Sequence, residues 1–279
     1  MKKIILLVLL LAMAGVAGIV RSHTKSNGAG GWRLSVNPNH ATAEKVRDEI
    51  RKSFELAPGA RVEVAGINGW VKVETSNTKT ADVYIERFGE SQEVLNRRKI
   101  TIESTATGLT IHGEKGDGTF LSRMFGEKPT EHVTLRLPRQ ISLIANGVNG
   151  SVTSEEVDGA VEVHGINGRV DIAQADGSAE FSGINGNVTI GLKQIGKQGV
   201  EMSGINGNIE LRLNDGVNAE LSAHGMNGSV SSDLPNVIVD RSSHGSYSAR
   251  VGIGGNAISA HGINGNIRLT RLGGEKLAD

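Results

Sequence analysis

One short motif, Gly-Ile-Asn-Gly, constrains the fold of this chain more than any other feature, because it returns at regular intervals. Five copies and two close variants, which carry Val148 or Met226 in place of Ile, begin at Gly66, Gly147, Gly165, Gly183, Gly204, Gly225 and Gly262. From Asn146 onward the motif opens one unit after another, most of them about 18–21 residues long. A repeat with this period predicts an architecture in which each unit packs on its neighbours.

Each unit carries a second turn signal about halfway along its length. Asp-Gly stands at this point in three units, at 158–159, 176–177 and 215–216. Asn, Asp and Gly are the residues that best tolerate the positive φ of tight corners. One unit is therefore predicted to consist of two short strands joined by two corners.

The residues that follow each Asn-Gly alternate between apolar and polar. One apolar position is filled, unit after unit, by Val152, Val170, Val188, Ile209, Val230 and Ile267. The polar position after it holds Thr153, Asp171, Thr189, Glu210, Ser231 and Arg268. Alternation with a period of two predicts strands that bury one face in every unit.

Two all-β architectures fit this pattern. In a single-stranded β-solenoid, which is β-helix-like, the units stack in parallel at about 4.8 Å and place Val152, Val170 and Val188 in one line. In an antiparallel meander each Asn-Gly or Asp-Gly is only a two-residue hairpin turn. The solenoid accounts for the repeated Ile of the motif, which the meander leaves unexplained. We therefore predict the solenoid and keep the meander as the alternative.

The N-terminal part differs in composition from the repeats. Residues 1–20 combine Lys2 and Lys3 with an apolar run and small residues, a pattern that predicts a secretory signal peptide. An uncleaved membrane anchor is the alternative. Residues 21–54 are predicted to be a flexible leader and a short helix that caps the β-structure, since Val46, Ile50 and Phe54 recur at i, i+4 and i+8.

Residues 55–145 predict an N-terminal β region that precedes the regular repeats of 146–279. Alternating segments predict strands at 61–64, 70–74, 82–86, 100–102, 109–111 and 133–137. A short helical or irregular excursion is expected at 91–98. The glycine-rich segment 112–131 lacks periodicity and predicts a surface loop.

These features together resemble a known group of bacterial sequences. Repeated Gly-Ile-Asn-Gly followed by x-Val-x-Ile, with halfway Asp-Gly corners and a preceding Leu-Arg-Leu-Pro at 135–138, is similar to the "putative adhesin" β-strand-repeat families, including the head-GIN domain. The likeness covers roughly residues 55–274 at the level of pattern. It implies a secreted or envelope-attached β-solenoid, and it supplies no catalytic residues.

Two sets of residues are candidate sites. The motif asparagines are predicted to form a structural ladder of stacked amides, with a ligand-binding polar stripe as the alternative; they are Asn68, Asn149, Asn167, Asn185, Asn206, Asn227 and Asn264. Three histidines precede a motif glycine or its degenerate copy and are a candidate metal or pH-sensitive site; they are His224, His244 and His261. Equivalent positions elsewhere hold Ala65, Asn146, Ser182 and Ser203, which favours a solvated stripe over a metal site.

Composition argues against several classes of function. The 30 basic and 30 acidic residues are interspersed, so no basic face indicates nucleic-acid binding. Cysteine is absent, which excludes disulfides and thiolate chemistry. The sequence shows neither the converging carboxylate pair of a glycosidase nor the Gly-x-Ser-x-Gly elbow of a serine hydrolase.

The predicted function is a non-enzymatic scaffold that works without a cofactor and binds surfaces or ligands in an adhesin-like way. We expect it to be exported to the periplasm, cell envelope or exterior, and to bind polysaccharide or a cell-surface component. A periplasmic envelope-stress or signalling accessory is the alternative, and a carbohydrate-active β-helix enzyme is a further one. Few residues follow Leu272, so the last unit is predicted to be uncovered and to self-associate end to end.

Overall fold

The computed structural model describes residues 45–114, 128–235 and 237–273. Over these residues the protein is all-β, as the repeats predict, with 19 strands in one sheet and a short helix, α1 (Gln92–Asn96). The sheet is nearly closed around a single hydrophobic core. No helix within these ranges is long and apolar enough to cross a lipid bilayer. The predicted signal peptide, the leader up to residue 44 and residues 115–127 of the predicted loop lie outside the described residues.

The strands form two series, one on each side of the motif corner. The leading series contains the strands that run into the motif corners, together with the strands paired at its two ends. In spatial order it comprises β5 (Ile100–Thr105), β6 (Gly108–Gly113), β2 (Ala60–Ala65), β8 (Ile141–Asn146), β10 (Val161–His164), the ends of β11 (Val170–Ser182) and β12 (Val188–Ser203), β18 (Asn256–His261), β14 (Ala219–His224), β17 (Ser246–Val251) and β16 (Ile238–Ser243).

The trailing series contains the strands that leave the motif corners, together with three strands paired at one end. In spatial order it comprises β1 (Val46–Glu55), β4 (Thr80–Gly89), β7 (Thr130–Pro138), β3 (Gly69–Ser76), β9 (Val152–Val157), the starts of β11 and β12, β13 (Ile209–Leu213), β19 (Ile267–Arg271) and β15 (Val230–Ser232). Because β11 and β12 belong to both series, the sheet continues from one side of the core to the other.

The repeat units pair in parallel, position for position. Val170 lies in register with Val152 on one side and with Val188 on the other. The line continues through Ile209 and Ile267 to Val230. Antiparallel pairing, which the meander predicts throughout, joins strands only near the two ends of the series. At one end it joins β1 to β4, β4 to β7, and β5 to β6. At the other end it joins β14 to β17 and β17 to β16.

The spatial order of the units differs from their order in the chain. Coil 262 (residues 256–271) lies between coil 204 (residues 200–213) and coil 225 (residues 219–232), because β18 pairs with β12 and β14 while β19 pairs with β13 and β15. At the other end, β2 and β3 lie between β6 and β7 on one side and β8 and β9 on the other. The expectation that the last unit is uncovered is therefore wrong, since its backbone is paired on both flanks. Self-association stays a prediction, without that open edge to support it.

The predicted capping helix is also wrong, because residues 46–55 form strand β1. This strand pairs antiparallel with β4 over its ten residues. The spacing of Val46, Ile50 and Phe54 suits one face of a helix, but four is also a multiple of the two-residue strand period. Pairing with an available sheet edge overrides the helix-forming composition. The segment extends the sheet where a helix would have covered its end.

The core is built from alternate residues of both series. Its largest fully buried side chain is Phe181, and most of the others are Val, Ile, Leu or Ala. Helix α1, in the excursion expected at 91–98, begins where the Ser91 hydroxyl accepts the Val94 N–H at 3.3 Å, and it buries Val94 and Leu95. The N-terminal β region and the regular repeats therefore share one core.

Candidate ligand-binding face

The motif forms the same corner in successive coils. Its apolar residue is buried, from Ile205 at 0% exposure to Met226 at 6%. The first glycine has a left-handed φ of +59° at Gly204 and +62° at Gly262. The second glycine touches the backbone of the next coil: a Cβ at Gly207 would lie 2.2 Å from the Gly186 carbonyl oxygen. The first glycine is thus required by its conformation, and the second by contact with the neighbouring backbone in addition to a φ of +156° at Gly207.

The structure places the seven motif asparagines in one line along the corner edge. Side-chain hydrogen bonds run from the Nδ2 of one residue to the Oδ1 of the next, joining Asn149 to Asn68 (2.8 Å), Asn167 to Asn149 (2.9 Å), Asn185 to Asn167 (3.2 Å) and Asn227 to Asn264 (2.9 Å). Asn206 is connected to its neighbours Asn185 and Asn264 by backbone bridges. Four side-chain hydrogen bonds therefore link neighbouring amides along this line, as in a ladder of stacked amides.

The ladder ends at a buried ion pair. Asn68 donates from Nδ2 to the Pro129 carbonyl at 2.8 Å and from its backbone N–H to Glu131 Oε2 at 3.0 Å. Glu131 is fully buried, and its other oxygen accepts from Arg98 Nε at 2.6 Å. Arg98 also donates to the Gly66 carbonyl. This pair fixes the first motif corner and is engaged entirely with protein groups, so its role is structural.

The three candidate histidines do not form one cluster. His224 and His261 are partners in register, with ring centroids 5.9 Å apart. His224 Nε2 lies 2.9 Å from the Ser222 hydroxyl. His244 lies between β16 and β17, and its Nδ1 accepts from the Arg241 guanidinium at 3.2 Å. In the described part of the chain, no three His, Asp or Glu side chains are placed to hold a metal ion.

A second row of side chains, which we call the Trp70 row, follows the motif by one residue. In spatial order the row consists of Trp70, Ser151, Arg169, Asn187, Asn208, Asn266 and Ser229. Since the next residue of each strand points into the core, this row lies on the outer face. The five members from Arg169 to Ser229 are exposed.

The asparagines of the Trp70 row are held by backbone groups. Asn187 Oδ1 accepts the Asn208 N–H at 2.9 Å, and Asn208 Oδ1 accepts the Asn266 N–H at 3.0 Å. Asn266 Oδ1 accepts both the N–H and the hydroxyl of Ser229, each at 3.0 Å. The Trp70 row is therefore an ordered surface, with each amide fixed by the adjacent coil.

Aromatic side chains gather at one end of the Trp70 row. Trp70 stacks on His132 with ring centroids 4.7 Å apart, and His132 contacts Phe88 at 5.1 Å. The Arg51 guanidinium lies over the Tyr84 ring at 4.5 Å. A groove of about 530 Å³ lies beside Tyr84, and its lining includes Arg51, Ser53, Asp82, Thr134 and Arg136.

The charges on this face are paired. Glu74 lies 2.8 Å from Lys72 and 3.0 Å from Arg136, and hydrogen bonds from these two cations lower the pKa of Glu74. A hydrogen bond from Arg212 lowers the pKa of Glu210 in the same way. Both carboxylates are therefore ionised at neutral pH, which suits them poorly to act as general acids.

Sequence reasoning found the motif asparagines but missed the Trp70 row. Two signals were present. Aromatic residues make up only 3% of the chain, yet Trp70, Tyr84 and Phe88 occupy polar-face positions of alternating strands. Asn also follows the motif in three units, at Asn187, Asn208 and Asn266.

Comparison with known proteins found similarity only to solved structures. No protein-family model matches the chain, and no curated protein matches it. It is similar to a "putative cell adhesion protein" from Clostridium sporogenes at 12% identity, with a TM-score of 0.37 and coverage of 81% of this chain and 100% of that one. A "putative adhesin" from Bacteroides fragilis is 10% identical over 80% of this chain and 97% of its own, with a TM-score of 0.31. A "putative lipid binding protein" from Parabacteroides distasonis is 10% identical over 80% and 95%, with a TM-score of 0.24. Likenesses this distant assign no function.

Proposed function

We propose that this protein is a non-enzymatic, exported scaffold of the cell envelope that binds an extended ligand along its outer face, as an adhesin-like repeat protein would. We also infer that its units form a β-solenoid, because spatially neighbouring units lie in parallel register. The observation that carries the proposal is the Trp70 row, an ordered line of outward side chains that crosses seven strands of the trailing series.

Stacked repeats suit this kind of binding for a physical reason. Each coil presents the same backbone position to solvent, so neighbouring contact groups recur at the spacing of parallel strands, about 4.8 Å. A ligand that extends along the stack meets many weak contacts at once, and repeat proteins commonly use such extended surfaces. The ladder of motif asparagines beside the row holds the corners in line.

The chemistry of the face favours binding over catalysis. Glu74 and Glu210 are each hydrogen-bonded by cations that lower their pKa values. The buried Glu131 is engaged with Arg98 and the backbone of Asn68. A glycosidase instead needs one carboxyl group with a raised pKa opposite a second carboxylate.

Export is inferred from residues 1–20, whose Lys2, Lys3 and apolar run are typical of a signal peptide. The periplasm, the envelope surface and the exterior all fit this inference. Fractionation of cells that produce the full chain would test it, and recovery of the protein in the cytoplasm would contradict it.

Binding to a glycan array and to isolated cell-wall material, with the purified full chain, tests the proposed function. We expect saturable binding without release of reducing sugar. Cleavage of a polysaccharide by the protein would contradict the proposed non-enzymatic function and show that it is an enzyme. Binding to an envelope protein alone would favour the signalling accessory.

A further inference from the structure

We propose that Asn187, Asn208 and Asn266 form a comb of amide donors that binds a linear, uncharged polysaccharide lying along the stack. This proposal rests on the proposed function, and it adds the residues of the site and the chemical class of the ligand.

The orientation of these amides is fixed by the backbone of the neighbouring coil. The oxygens of Asn187 and Asn208 accept the backbone N–H groups of Asn208 and Asn266, at 2.9 and 3.0 Å. A backbone N–H can only donate, so the group that faces it must be the side-chain oxygen. The Nδ2 group of each amide is thereby directed away from that contact.

The Nδ2 groups are available to a ligand. Those of Asn187, Asn208 and Asn266 have no acceptor within the described residues, and all three side chains are exposed. In the motif ladder, four Nδ2 groups donate instead to a neighbouring asparagine; they belong to Asn149, Asn167, Asn185 and Asn227. The comb therefore offers three pairs of N–H donors in adjacent coils, about 4.8 Å apart.

The comb is pre-organised. Each of its side chains is already held by at least one hydrogen bond to the adjacent coil, so little rotamer freedom remains to be lost when a ligand binds. Exposed polar side chains that are not held in this way lose more entropy on binding. Donors fixed at a regular spacing select a ligand whose acceptor oxygens also recur regularly.

A linear polysaccharide meets this requirement, because each sugar unit carries hydroxyl or acetamido oxygens. The charges beside the comb are balanced, since Arg169, Arg212 and Arg268 pair with Asp171, Glu210 and Asp233. An unbalanced cationic face would instead favour an anionic polymer. The comb therefore favours an uncharged chain.

Trp70 gives the same row an aromatic end. One face of its ring stacks on His132, and its neighbour in register on the opposite side is the small Ser151. A sugar ring presents a C–H face that packs on an aromatic ring. A polysaccharide long enough to run from the comb to Trp70 crosses Ser151 and Arg169, which lie between them in the row.

The test is isothermal titration of the full chain with oligosaccharides of glucose and of N-acetylglucosamine, two to six units long. We expect affinity to rise with length until the oligosaccharide spans the comb. The triple variant Asn187→Asp, Asn208→Asp, Asn266→Asp keeps the oxygens that accept the backbone N–H groups but removes the free donors. It should bind at least about tenfold more weakly.

A triple alanine variant at the same positions adds no charge, and its affinity for the oligosaccharide should fall by a similar factor. Glu201→Gln, on the outer face of the leading series, is the control and should bind as the unmodified chain does. Melting temperatures of all the proteins check that the fold is retained.

The outcomes separate this inference from the proposed function. If the unmodified chain binds a glycan and both triple variants bind it equally well, the comb is refuted while the scaffold function stands. If a uronic acid polymer binds more tightly than the neutral oligosaccharides, the ligand class is refuted. If no glycan binds and only an envelope protein does, both proposals fail.

Discussion

The two glycines of one motif corner should respond very differently to substitution by alanine. Gly204 has a φ of +59°, but the nearest atom to an added Cβ is 3.8 Å away. Gly204→Ala therefore costs only the left-handed backbone, about 1–2 kcal/mol. Gly207 also has a positive φ, +156°, and its added Cβ would in addition lie 2.2 Å from the Gly186 carbonyl oxygen and 2.5 Å from its carbon. Both are backbone atoms, so coil 204 and its neighbour must separate, and we expect a loss of more than about 3 kcal/mol.

Denaturant unfolding, followed by circular dichroism, measures both losses. For a chain of this size 1 kcal/mol corresponds to about 2–4 °C in melting temperature, so thermal unfolding provides a second measurement. Gly216→Ala is the matched control, because it has no atom within 4 Å of an added Cβ and no left-handed φ. It should change the stability by less than about 0.5 kcal/mol. If Gly207→Ala proves no more destabilising than Gly204→Ala, close approach of the coils is not what requires glycine there.

Three further changes test the core, the buried ion pair and the surface charges. Phe181→Ala should lower the free energy of unfolding by about 3–5 kcal/mol in denaturant titrations, since Phe181 is fully buried; a loss below about 1 kcal/mol would contradict that placement. Glu131→Ala should cost about 3–5 kcal/mol by leaving the Arg98 charge unpaired, and adding Arg98→Ala should recover part of this loss; an additive double variant would speak against the pair. The hydrogen bond from Arg212 lowers the pKa of Glu210 below its ordinary value of 4.5. The ionised carboxylate therefore stabilises the folded state above pH 4.5, and this stabilisation is lost as the pH falls below 4.5 and Glu210 takes up a proton. Melting temperatures at a series of acidic pH values should therefore decline less steeply for Glu210→Gln, and parallel curves would exclude this contribution.

Local pattern was enough to predict most of the strands and the parallel register between adjacent repeat units. Alternation placed strands at 61–64, 70–74 and 133–137, and each is found within a longer strand. Equivalent apolar residues in successive units predicted the parallel register of Val152 with Val170. These features follow from the two-residue period of a strand and from the turn residues, both of which are local.

The order of the coils could not be predicted in the same way. Every unit presents the same motif and the same apolar positions, so the sequence specifies how one coil lies on another but not which coil it meets. The placement of coil 262 beside coil 225 depends on interactions across the whole molecule. The helix expected up to Phe54 failed for a related reason, because its partner strand β4 lies about thirty residues later in the chain.

The Trp70 row was only partly visible in the sequence. The recurrence of Asn187, Asn208 and Asn266 after the motif can be read directly. Which amide atom faces the protein depends on the backbone N–H that lies opposite it in the next coil. That contact exists only once the parallel register is known, so the donor surface is a property of the folded stack.

The position of coil 262 has a consequence for how the chain matures. During synthesis coil 225 is made before residues 256–271, yet its parallel neighbour in the finished stack is coil 262. Until those residues arrive, coil 204 and coil 225 each have a bare flank of matching register. These flanks can pair wrongly with each other, or with another unfinished chain. Once residues 256–271 pair with coil 204 and coil 225, both flanks are covered and the interval in which they can pair wrongly ends.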